Sequence, residues 1–188
     1  PLVSAKWLHD NLQRDDVKVV DASWYLPNQD RDGHAEYLEA HIPGAVHFPI
    51  DEIADKSSHL PHMLPSAEDF SEAAGSLGIN DNDTIVVYDA AGLFSAARVW
   101  WTFRYFGAAD VFVLDGGLPA WRKAGYPLES GKVAAGNGRF SARAGTAIVS
   151  DHIAVKEALA SGDRLLVDAR SRERFAGTAP EPRPELPS

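Results

Sequence analysis

The chain has 188 residues, of which 45% are hydrophobic and 10% aromatic, with a net charge of −9 and no cysteine. That is enough apolar material for one large domain, or for one domain and part of another, while the acidic balance argues against nucleic acid or an anionic membrane as partner. The lack of cysteine excludes a disulfide scaffold, and no run is long and apolar enough to span a membrane.

The chain opens on Pro1 rather than Met, so the expectation is a cytoplasmic protein whose organellar or export signal, if any, has been trimmed. Ser4 caps a predicted helix through about Gln13, and "VKVVDAS" (17–23) reads as a buried strand ending in a polar turn. After polar "NQDRDG" comes a short helix over His34 to Ala40, and "HIPGAVHFPI" (41–50) is a loop entering a short strand. Ser66 to Asp69 resembles a capping box for a helix to about Leu77. "DTIVVY" and "DVFVL" are strands; "FSAARVWWTFRYF" and "GGLPAWRKAG" are helices, with Trp100, Trp101 and Phe103 read as a core stripe. This alternation predicts an α/β fold with a mainly parallel central sheet and helices on both faces.

Between the strand ending at Tyr88 and the helix opening near Ser95 lies a short loop with Gly92. Strand, loop and helix N-terminus form a ready anion cradle, since unpaired N–H groups and the positive end of the helix dipole converge there. The first loop position, where covalent chemistry would need a nucleophile, holds Asp89. A carboxylate there reads as an anion surrogate bonded to the loop's own amides.

The stretch 128–147, "LESGKVAAGNGRFSARAGTA", has no sustained apolar period and reads as a linker. After it the opening returns: Ser4 to Asp21 spans 17 positions, Ser150 to Asp168 spans 18, and both strands end in Val-Asp-Ala. The expected organisation is a first domain at 1–127, a linker at 128–147, and at 148–188 the beginning of a second domain whose counterpart of Asp89 would lie past Ser188.

"YLEAHIPGAVHF" and "LDGGLPAW" resemble the flanking signatures of the rhodanese-type sulfurtransferases. "DASWYLP", "HMLP", "YDAAGLFSAARVWW" and "VDARSRERFAGTAPEPR" are similar to the two-domain 3-mercaptopyruvate branch of that family. The resemblance implies a rhodanese-like fold, an inactive first domain with Asp89, Gly92 and Ser95 as its pseudo-active loop, and a catalytic cysteine in the second domain. That cysteine would carry sulfur as a persulfide from 3-mercaptopyruvate or thiosulfate, small anionic donors, to a thiol or cyanide acceptor. No cofactor and no metal are implied; His59 and His62 lack a third ligand at zinc spacing. By resemblance Asp51 and His62 support proton transfer, and Arg174 and Arg183 hold the substrate, the second arginine favouring mercaptopyruvate. A guanidinium fork suits a carboxylate bidentately. His41 reads as a structural histidine, Arg98 as a brace for the loop, and Arg170 as the partner of nearby carboxylates. The alternative is a stand-alone, non-catalytic rhodanese-like module that binds a partner or anion. A phosphatase-like hydrolase using Asp89 is disfavoured, because no arginine sits in the loop before Arg98.

Overall fold

The computed structural model describes residues 1–145 and 149–180. The chain divides into two compact units: Pro1–Tyr25 with Arg31–Ala144, and Leu26–Asp30 with the residues from Gly145 onward.

The first unit holds a five-stranded, wholly parallel sheet in the order β1-β5-β4-β2-β3, formed by Leu2–Val3, Val111–Leu114, Thr84–Tyr88, Val17–Asp21 and Val46–His47. The two-residue edge strand β1 has no signature in the sequence; its pairing with β5 is long-range, and two residues carry no readable period. Along β2 and β4 successive apolar side chains alternate between two cores. Val20, Ile85 and Val87 pack with Phe70 of α3 (Ala67–Ser76) and Val99 and Phe103 of α4 (Ala96–Tyr105). On the other face Val19, Val86 and Tyr88 pack with Leu8 of α1 (Ala5–Asn11) and Trp121 of α5 (Gly117–Lys123). The remaining helix of this unit, α2 (Gly33–Glu39), begins where Asp32 accepts from the amides of His34 and Ala35. Ser4 and Ser66 cap α1 and α3 as their sequences suggest, accepting from the amides of Trp7 and Asp69.

Three readings change. Only Phe103 of the supposed aromatic stripe lies in the core; Trp100 and Trp101 are half-buried, Trp100 donating to the Val111 carbonyl at 2.9 Å. The stretch read as a linker forms no helix among its described residues, yet it stays with the first unit to Ala144 rather than leaving it at Pro127. Its backbone exchanges two bonds between Glu129 and His41, and Phe140 is buried against Phe70. Small residues allowed that close approach, so their composition did not signal freedom. In the second unit, which holds α6 (His152–Ser161) and α7 (Arg172–Phe175), the expected strand at Leu165–Val167 is irregular. Leu165 and Val167 are 89% and 79% exposed. A strand needs neighbours, and among the described residues this unit supplies none.

His47, in register with Asp21 at the sheet edge, gives the first unit a pH dependence. Its Nδ1 lies 3.4 Å from His34 Nδ1, and its Nε2 is buried. Burial holds this imidazole below the usual histidine range, while the charges around it are Asp21, His34 and Asp32. A histidine with a depressed folded pKa binds its proton more readily when unfolded. Stability is therefore present above the ordinary value of about 6.5 and is lost as pH falls through it toward the folded value, by at most about 1.4 kcal/mol per pH unit. In chemical denaturation from pH 7 to pH 5 wild type should lose stability relative to His47→Phe, since the buried Asp21 carboxyl, held high, acts in the opposite sense in both proteins. Parallel profiles for the two proteins would refute the assignment.

Candidate functional site at the carboxyl ends of the strands

In parallel α/β sheets the loops after the strands gather at the carboxyl edge and build sites there. Here they come from β2, β3 and β4. Asp21 ends β2 almost fully buried, its carboxylate accepting from the Ser23 amide at 2.8 Å. Burial raises both the Asp21 carboxyl and the neighbouring Tyr88 phenol, so each favours its neutral form. Ser23 Oγ accepts from the Ala90 amide at 3.0 Å, tying the β2 end to the loop after β4.

That loop is built around one carboxylate. Asp89 is 1% exposed, and its Oδ1 accepts from the amides of Ala91 and Gly92 at 3.0 and 2.7 Å. Its Oδ2 accepts from the amides of Phe94 and Ala96 at 2.6 and 2.9 Å. One of these donors requires unusual backbone: Gly92 has φ +104°, which suits glycine. Gly117 keeps the floor clear, because a Cβ there would fall 2.4 Å from the Asp89 carbonyl. Ser95 stands at the N-cap of α4 but makes no cap bond, and its Oγ is buried without a partner. Asp89 caps the helix instead, from seven positions back.

A second group forms after β3. Asp51 Oδ1 lies 2.5 Å from His62 Nε2, and Asp51 Oδ2 accepts from Trp24 Nε1 at 2.8 Å. His62 has φ +58°, a left-handed conformation few non-glycine residues adopt. The Arg98 guanidinium donates to its carbonyl and stacks over Trp101 at 5.0 Å. Arg98 thus braces the His62 turn rather than the Asp89 loop, and burial lowers its pKa. The two groups meet where Trp24 lies along Phe94, ring centroids 6.4 Å apart. Leu60 and Met63 lie close to His62 in the chain, and Leu93 and Phe94 belong to the loop after β4; each is 44–63% exposed.

The structure therefore brings Asp51 to His62 and Asp89 to Gly92, with Ser95 at the N-cap position of the helix that Asp89 caps, all within the first unit. Arg174 lies on α7 of the second unit, whose N-cap Ser171 accepts from the Arg174 amide. Arg183 lies outside the described residues. Arg170 pairs bidentately with Asp168 and holds that carboxyl down to about 2. His41 is fully buried, its ring stacked on Tyr37 and its Nδ1 2.7 Å from the Tyr37 carbonyl. Among the described residues no group of three or more metal-capable side chains occurs, and no helix is long and apolar enough to cross a membrane. Trp24 was missed as a site residue; the available signal was its place just after a parallel strand, in "DASWYLP".

Comparison with known proteins adds a family. Residues 4–124 match the model of the rhodanese-like domain. The chain is 45% identical to human 3-mercaptopyruvate sulfurtransferase, covering 97% of this chain and 63% of that protein. It is 44% identical to the Arabidopsis thaliana protein "Thiosulfate/3-mercaptopyruvate sulfurtransferase 1, mitochondrial", covering 97% of this chain and 54% of that one. It thus spans little more than half to under two thirds of the length of these relatives. The crystal structure of SseA from Escherichia coli, described as a 3-mercaptopyruvate sulfotransferase with the "Rhodanese" fold, superimposes with a TM-score of 0.89 at 39% identity. That match covers 93% of this chain and 67% of SseA.

Proposed function

This chain belongs to the rhodanese-like family, and from that premise we propose that it is the non-catalytic portion of a sulfurtransferase working on 3-mercaptopyruvate or thiosulfate. One observation carries the reading: the cradle that would stabilise a sulfur-bearing thiolate is filled by the Asp89 carboxylate, on a chain without a single cysteine. A sulfur carrier must be both nucleophile and leaving group, as a thiolate is and a buried carboxylate is not. The repeat at 148–188 supports a tandem arrangement, in which a second rhodanese-like domain supplies the cysteine.

In the proposed reaction that thiolate attacks the sulfur of mercaptopyruvate. The carbon–sulfur bond breaks, pyruvate leaves as its enolate, and the cysteine keeps the sulfur as a persulfide. An acceptor thiolate or cyanide then takes the outer sulfur and frees the thiolate. The Asp51–His62 pair suits protonation of the enolate, since an imidazole can both take up and release a proton. Arg174 and Arg183 would orient the donor's carboxylate. A stand-alone binding module remains the second reading, favoured by the self-contained sheet and core of the first unit.

The purified 188-residue chain, verified by intact mass, should release neither pyruvate nor sulfide from mercaptopyruvate in the presence of a dithiol. Joining it to a cysteine-bearing rhodanese-like domain should yield turnover that His62→Ala diminishes. Turnover by the chain alone would overturn the assignment, and a joined protein indifferent to His62 would leave the binding-module reading in its place.

A further inference from the structure

Trp24 follows the buried end of β2, and its indole reaches 27 positions along the chain to Asp51. The two oxygens of that carboxylate are claimed separately: Oδ2 by the indole N–H at 2.8 Å, Oδ1 by the His62 imidazole at 2.5 Å. An indole nitrogen can only donate, so Oδ2 is committed and cannot turn to serve His62. The same indole stands edge-on to the His62 ring, centroids 5.0 Å apart at 89°, and is itself steadied along Phe94. The Asp51 side chain is 66% exposed. A carboxylate so placed, with one anchor, would exchange among rotamers in water. The second anchor removes that freedom.

We propose that Trp24 is a positioning residue: by holding Asp51 in one orientation it fixes His62 as the Nε2–H tautomer, leaving Nδ1 to take and deliver the proton. The inference rests on the relay reading of Asp51 and His62 and adds the group that sets its direction. When His62 gives a proton to an enolate carbon, the proton leaves Nδ1, and the neutral imidazole keeps Nε2–H on Asp51. The other tautomer would present an N–H where a lone pair is needed for the next cycle.

Long-range nitrogen–proton NMR of the 188-residue chain at about pH 8, where an ordinary histidine is neutral, reads the tautomer directly. Wild type should show His62 as Nε2–H, and Trp24→Phe, which keeps an aromatic ring against Phe94, should lower the tautomer ratio by about tenfold. His41 and His47 should not respond. Asp51→Ala gives a second reading that leaves Trp24 in place: exchange of the indole N–H with solvent should accelerate by about tenfold. A tautomer ratio unchanged in Trp24→Phe overturns the proposal. So does an indole N–H indifferent to Asp51→Ala, which decides the matter if the first variant does not fold. Neither readout involves turnover, so a failed relay in a sulfur-transfer assay would be told apart from a failed positioning role.

Discussion

Asp89→Ala should lower the thermal midpoint of the first unit by roughly 6–20 °C, and sulfate, phosphate or thiosulfate should restore a large part of it. The carboxylate takes hydrogen bonds from four loop amides at 2.6–3.0 Å. Hydrogen bonds to a charged group contribute about 1.5–3 kcal/mol each. Four bonds sharing one carboxylate do not add fully, so a loss of about 3–5 kcal/mol is expected, of the size found when one partner of a buried charged pair is removed. A domain of this size shifts by roughly 2–4 °C per kcal/mol. The methyl group leaves a cavity ringed by N–H groups at a helix N-terminus, which is the setting that binds oxyanions. An ion that binds only the folded form raises the midpoint with its concentration. Asp89→Asn should be nearly as damaging, because its amide turns an –NH2 group toward two of the donors. Calorimetry with and without sulfate decides the matter. A variant melting within about 2 °C of the parent, and blind to every oxyanion, would mean that the amides find other partners.

The second large effect concerns substrate choice in an enzyme that joins this chain to a cysteine-bearing domain. Arg183→Ala should reduce the specificity constant for mercaptopyruvate by about ten- to a hundredfold, the loss of one or two kcal/mol-scale bonds to a charged group, and should affect thiosulfate far less. A carboxylate beside a keto group is a flat target that a guanidinium fork grips at two points. Thiosulfate is tetrahedral and can be held by one arginine and loop amides. Arg174→Ala should damage both substrates. Steady-state kinetics with the two donors separate the roles. Equal losses from Arg183→Ala would move the substrate assignment toward thiosulfate.

Much of the fold could be read locally. Val17 to Asp21 and Thr84 to Tyr88 are apolar runs bounded by polar turns, and both form central strands of the sheet. Ser4 and Ser66 sit before helical periods and do cap them. Other features had no local signature. The edge strand Leu2–Val3 exists only because β5 lies beside it. Residues 129–144 look like a flexible link because they are small and polar, yet that smallness lets them pack against α2 and α3. Leu165 to Val167 looks like a buried strand because its composition is that of one, but a strand is stabilised by partners its own composition cannot provide.

At the candidate site the division is the same. Residue identity alone puts a carboxylate, not a thiol, at the head of the loop after β4 and so settles whether sulfur can be carried there. The sequence also places Asp51 and His62 in one short segment. The four amides converging on Asp89, the Trp24 indole on the Asp51 carboxylate and the Arg98 support of a left-handed His62 arise in the folded chain and have no local signature. These depend on directions of N–H bonds and side chains contributed by β2, β3, β4 and their loops. Such directions follow from the packing of a whole sheet, whereas chemical identity is written one residue at a time.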